Sequence, residues 1–168
     1  MKTPPFAWPF ALAVSMSVAS CAQWPDWVMN PVAENGIAAA DCAEGSGNLS
    51  VDRQFVVASA RTALAQQIST RVKAVDKVYS ERVAAAEKKP VASTSFQRAS
   101  ALITDQALQN SRVARFEVVG KQVCALVIMD AKDTRKYFDD LVQVAKVEVT
   151  PQLEEKLFDT FRARKVGP

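Results

Sequence analysis

From Val51 to Ala86 no glycine or proline interrupts the chain, and the apolar residues there follow a helical beat. Val57, Leu64, Ile68, Val72, Val75, Tyr79 and Val83 recur at intervals of three, four or seven. That spacing keeps one stripe of a 3.6-residue helix apolar, and Arg61, Gln66, Lys73, Lys77 and Glu81 fall largely off it. Ser50 is the expected cap, its hydroxyl accepting a free backbone N–H of the first turn. A second side holds Phe55, Ala58 and Ala65, which predicts cover on two faces, by a sheet and by another helix or subunit. A domain built on so long a helix must supply a matching apolar surface along it.

The flanking segments supply a sheet. Gly36 to Ala43 is a short apolar stretch closed by Glu44-Gly45-Ser46-Gly47-Asn48, and is read as a buried strand. Arg112 to Asp130 holds two β-rich runs around Gly120-Lys121, a hairpin whose turn uses glycine's tolerance of positive φ. In its first arm Val113, Arg115, Glu117 and Val119 alternate with Ala114, Phe116 and Val118. Its second arm, Val123 to Met129, is almost wholly apolar, as a central strand covered on both faces would be. Three further helices are predicted. One follows the Lys88-Lys89-Pro90 turn, capped within Ser93-Thr94-Ser95, with Phe96, Ala99, Leu102 or Ile103, Gln106 and Leu108 as its stripe. One is capped by Asp133, and one opens at Thr150-Pro151. The expected class is α+β: a three-stranded antiparallel sheet with the long helix on one face and further helices at the C-terminal end. So thin a sheet needs cover on its other face, from the last two helices or from an oligomeric partner.

Residues 1–20 read as an address. An apolar run from Phe6 to Val18 follows Lys2 and is too short to span a bilayer, which takes about 20 apolar residues. Val18-Ala19-Ser20-Cys21 then forms a lipobox, which makes Cys21 the expected site of lipid attachment and of the new amino terminus. Acyl chains contribute about 0.8 kcal/mol per buried CH₂, so a multiply acylated Cys21 would anchor the protein firmly. Ala22 in place of Asp favours the outer membrane in Gram-negative sorting. The expected organisation is a lipoprotein signal peptide over 1–20, a lipid-proximal linker over 21–35 and one domain over 36–168.

The 168 residues include no histidine, which excludes Ser-His-Asp and Cys-His catalysis, imidazole general bases and His-ligated zinc. A net charge of +3 is too mild to indicate nucleic acid. Asp139-Asp140 and Glu154-Glu155 are neighbours that point about 100° apart on a helix, and read as solvated faces. Gly45-Ser46-Gly47-Asn48 lacks the Lys-Ser/Thr of a phosphate loop and reads as a turn. Arg162-Ala163-Arg164-Lys165 reads as a charged helix end. Cys42 and Cys124 are a candidate disulfide if the chain reaches an oxidising compartment. Nothing in the sequence brings their two strands together, so two free buried thiols are favoured.

Pro25-Asp26-Trp27-Val28 behind the lipobox, Ala60-Arg61-Thr62-Ala63-Leu64-Ala65 in the long helix, and Val119-Gly120-Lys121 leading into Val123 to Asp130 resemble the Lpp-twenty outer-membrane lipoprotein family (FlgP-like lipoproteins). The resemblance covers roughly residues 25 to 147. It implies a dodecin-like core, a long helix cradled by three antiparallel strands, with no enzymatic activity and no cofactor. It marks Trp27 and Arg61 as family-motif contacts. Trp27 is expected to pack on the domain over the sheet edge, with Trp24 open to a place at the headgroup level. The functional expectation is a lipid-anchored, non-enzymatic outer-membrane protein on the periplasmic side. It would self-associate as a homo-oligomer or dock onto an envelope assembly, with motility one such setting. The alternative is a periplasmic carrier of a small apolar ligand, in a pocket lined by Phe55, Phe116 and Phe138.

Overall fold

The most apolar strand lies in the middle of the sheet. The computed structural model describes residues 24–86 and 95–163, and its elements in chain order are α1 (Asp26–Met29), β1 (Ile37–Glu44), α2 (Leu49–Ala85), α3 (Ser95–Asn110), β2 (Arg112–Val119), β3 (Gln122–Met129), α4 (Ala131–Ala145) and α5 (Pro151–Arg162). The class is α+β, with one antiparallel sheet in the order β1-β3-β2. β1 pairs with β3 along its whole length, from Ile37 opposite Met129 to Glu44 opposite Gln122. Alternation then gives β3 two buried faces. Val123, Ala125, Val127 and Met129 join the main core with Ile37 and Ala39, while Leu126 and Ile128 join Ala38 in a smaller cluster on the opposite face.

β2 departs from the simple alternation read in the sequence. A bulge between Val113 and Arg115 leaves Ala114 without a partner on β3. One extra residue reverses the phase of the strand, so Val113 and Phe116, three apart, both pack on the main core. Arg115 and Glu117 project from the other face.

α2 is the spine. Its fully buried residues are Val56, Ala60, Leu64, Ile68, Val72 and Val75, with Asp52 at one end and Tyr79 at the other. Steps of four residues advance the stripe by about 40° each on a 3.6-residue helix. The buried stripe therefore winds around α2, facing the sheet over its first half and α3 and α5 over its second. Val57 is only half-buried, and Val56 takes the core position the sequence assigned to it. On the second side Phe55 is 63% exposed and Ala58 is exposed, while Ala65 is half-buried, so no described element covers the start of that side.

Two caps differ from expectation. Asn48, not Ser50, caps α2, its side chain accepting from the Val51 N–H. Asp130, not Asp133, caps α4, accepting from the Asp133 N–H at 2.9 Å. Thr150 caps α5 ahead of Pro151 as read. The Ser93 and Thr94 caps proposed for α3 lie outside the described residues. So do the leader and Cys21.

α4 and α5 do not cover the open sheet face. Tyr137, Phe138, Leu141, Leu157 and Phe161 all belong to the main core, on the α2 side. The opposite face is covered instead by the segment before β1. There Trp27 of α1 and Ala33 pack on Ala38, Leu126 and Ile128. The linker assigned to 21–35 is thus, from Trp27 onward, part of the domain.

Candidate functional site

Cys42 and Cys124 form a disulfide, which corrects the expectation of two free thiols. They are directly opposite in the β1–β3 register, with Cα atoms 4.1 Å apart. The sequence could not show this, because the hairpin partner of β3 is β2, and only the tertiary fold lays β1 along its other edge. Cys124 is fully buried and lies on the same sheet face as Leu126 and Ile128. The bridge therefore sits beside the Trp27-covered patch.

Trp27 lies on the sheet face and not over its edge. Its indole nitrogen is buried without a hydrogen-bond partner, and the Arg115 guanidinium stands 5.6 Å from the ring centroid. Arg115 also faces Glu117 at 3.9 Å along the same strand, both side chains about half exposed. Arg61, the other contact that the resemblance implies, is on the far side of the sheet. It donates from Nε to Ser111 Oγ at 3.3 Å and from Nη2 to the Ser111 carbonyl at 3.4 Å, tying α2 to the start of β2. The structure does not bring Trp27 and Arg61 together. Each secures a different face of the sheet. Trp24, Met29 and Val32 of the lead segment are exposed.

Several carboxylates tie one element to another. Arg135 meets Asp139 at 2.8 Å and Glu154 at 2.6 Å, and its guanidinium lies 4.7 Å over the Phe158 ring, joining α4 to α5. Lys136 meets Asp140 at 2.6 Å, and Arg162 meets Asp159 at 2.8 Å. Asp41 on β1 accepts from the Ser59 hydroxyl of α2. The Gly45–Asn48 loop is tied at both ends. Gly45 N–H donates to the Lys121 carbonyl at 2.9 Å, and Asp52 accepts from Ser46 Oγ at 2.6 Å and Ser46 N–H at 3.0 Å. The Ser46 hydroxyl, then its amide, hold the Asp52 carboxyl below its ordinary 3.8. With its Ser46 amide already taken by Asp52, the loop is a closed turn. Asp76 of α2 accepts from the Phe96 N–H at 3.4 Å at the start of α3, and burial pushes its carboxyl up. Burial likewise raises the Tyr137 phenol, whose oxygen lies 2.8 Å from Ser100 Oγ and 3.2 Å from Thr104 Oγ1 between α3 and α4.

The three rings proposed for an apolar pocket are in three different settings. Phe55 is exposed, Phe116 lies on β2 under the Arg53 guanidinium at 5.2 Å, and Phe138 is buried against Phe158 and Phe161. None of the three lines the open groove found among the described residues. That groove, of about 1100 Å³, lies between the segment before β1, the middle of α2 and the end of α5. Its walls include Ala33, Ala63, Gln66, Arg71, Asp159 and Arg162. Arg71 donates to the Phe161 and Arg162 carbonyls at 3.0 and 2.8 Å and so closes the end of α5. The groove is not legible in the sequence because its walls come from three stretches far apart in the chain, the segment before β1, the middle of α2 and the end of α5.

Among the described residues no group of three His, Cys, Asp or Glu side chains is placed to hold a metal ion, and no helix is long and apolar enough to cross a membrane. Comparison with protein-family models, with curated proteins and with solved structures finds no match to this chain.

Proposed function

We propose that this chain is a lipid-anchored envelope protein with a non-enzymatic, structural role, held by Cys21 in the outer membrane with its domain on the periplasmic side. The observation that carries the reading is the Cys42–Cys124 disulfide behind the lipobox. A cross-strand bridge inside a small domain suits an oxidising compartment, which is where a lipobox leader delivers its cargo. The charged side chains support the same reading where they tie one element to another, as Arg135 joins α4 to α5 and Arg61 joins α2 to the start of β2. The domain self-associates or docks onto an envelope assembly of the kind the Lpp-twenty resemblance implies.

The test is metabolic labelling with an alkyne analogue of palmitate, followed by membrane fractionation. The wild-type chain takes the label and sediments with the outer membrane, and Cys21→Ser loses the label and becomes soluble. An unlabelled, soluble wild-type chain would overturn the anchor.

A further inference from the structure

We propose that the outer edge of β2 pairs with the same edge of a second copy of this chain, antiparallel and centred on Phe116. This names the surface for the self-association proposed above, and rests on that part of the reading alone.

Among the described residues β2 is an outer strand of the sheet, hydrogen-bonded to β3 on one side only. Its exposed backbone edge is a template for another strand. Charges and a bulge on such an edge ordinarily discourage pairing. Here the order of the charges selects one pairing in place of discouraging all. In an antiparallel pair related by a two-fold axis normal to the sheet, one residue faces its own copy. Its two neighbours then face each other's copies. Centring on Arg115 sets two arginines opposite one another, and centring on Glu117 sets two glutamates. Centring on Phe116 puts Arg115 opposite Glu117 of the partner subunit, and does so twice.

Like charges directly opposite are destabilising and opposite charges stabilising, so the charge order fixes the register. Both side chains are about half exposed and their contact within the strand is a long one, 3.9 Å, so each can turn to a partner strand, Arg115 from its place over the Trp27 ring. The other face fits the same register. Phe116 points to the α2 side and is half-buried, and its ring would meet its own copy there. Val118 shares that face and is 58% exposed. In this register it would lie opposite Ala114, the bulged residue, where a small side chain leaves room. One continuous six-stranded sheet results, with an α2 on the same side of each half.

The experiment measures the association of the purified full chain by sedimentation, in wild-type and Cys21→Ser forms. Both are expected to dimerise. Arg115→Glu and Glu117→Arg each turn both cross-strand pairs repulsive, and should weaken the dimer by about tenfold or more. The double reversal Arg115→Glu/Glu117→Arg restores opposite charges across the axis and should restore the dimer. Far-ultraviolet circular dichroism checks that each variant is folded. As a second readout independent of charge, Phe116→Cys should cross-link to its own copy under mild oxidation, while Glu117→Cys, displaced from the axis, should not.

A folded wild-type chain that stays monomeric at its highest soluble concentration overturns the proposal. So does a dimer that the single reversals leave unchanged, or a folded double reversal that remains monomeric. If the single reversals fail to fold, the Phe116→Cys cross-link decides. A chain that dimerises without taking up palmitate supports this inference while refuting the anchor, so the two failures are distinguishable.

Discussion

Opening the Cys42–Cys124 bridge should cost this domain a substantial part of its stability. The bridge spans 82 residues of sequence and encloses all of α2, α3 and β2. In the chain-entropy model a loop of that size restrains the unfolded ensemble by about 4.5 kcal/mol. Residual structure in the reduced chain lowers that figure, so a loss of about 3–4 kcal/mol is expected on reduction. For a domain of this size that is a fall in Tm of roughly 8–15 °C. The assay is urea or thermal denaturation with and without reductant, beside a Cys42→Ala/Cys124→Ala variant. The wild-type transition should shift on reduction. The double variant should start near the reduced wild-type value and not respond to reductant. Alkylation under denaturing, non-reducing conditions should label neither cysteine. The reasoning is refuted if both label freely without reductant, or if reduction moves the transition by less than about 1 kcal/mol.

Three further outcomes follow from the packing. Trp27→Ala uncovers Ala38, Leu126 and Ile128 on the second sheet face and should destabilise the domain by about 2 kcal/mol, measured by urea titration. The variant should also bind an apolar dye more strongly than wild type. Gly36→Ala would place a Cβ 2.3 Å from the Met129 carbonyl oxygen, a backbone atom that cannot swing away. It should cost about 1–3 kcal/mol and raise amide exchange at the Ile37 end of the β1–β3 pairing. Asp52 has its carboxyl held below 3.8, so its contribution is complete above that value and is lost as pH falls through the lower folded value. Asp52→Asn should therefore flatten the acid limb of the stability profile, and an unchanged limb would place the acid sensitivity elsewhere.

Much of the helical and strand content was legible because it rests on local rules. The α2 beat, the Gly120-Lys121 turn and the Thr150-Pro151 start depend on residues near one another in sequence. The alternation on β2 misled because a bulge is set by the partner strand, and only the β3 register shows that Ala114 is the extra residue. Val56 and Val57 are equally apolar neighbours. The angle at which the sheet meets α2, and not their own chemistry, chooses which is buried. The groove was not legible because its walls are brought together from the segment before β1, the middle of α2 and the end of α5, which are far apart in the chain.

By itself the sequence determined that this chain contains one long helix, a hairpin with an all-apolar second arm, and no imidazole chemistry. Each of those follows from composition or from spacing within a single element. Only the tertiary structure decided that β1 lies along β3, that Cys42 therefore meets Cys124, and that Trp27 and not the C-terminal helices covers the second sheet face. Those outcomes depend on which surfaces meet across long stretches of chain. An apolar residue states that it will be buried, but not against what.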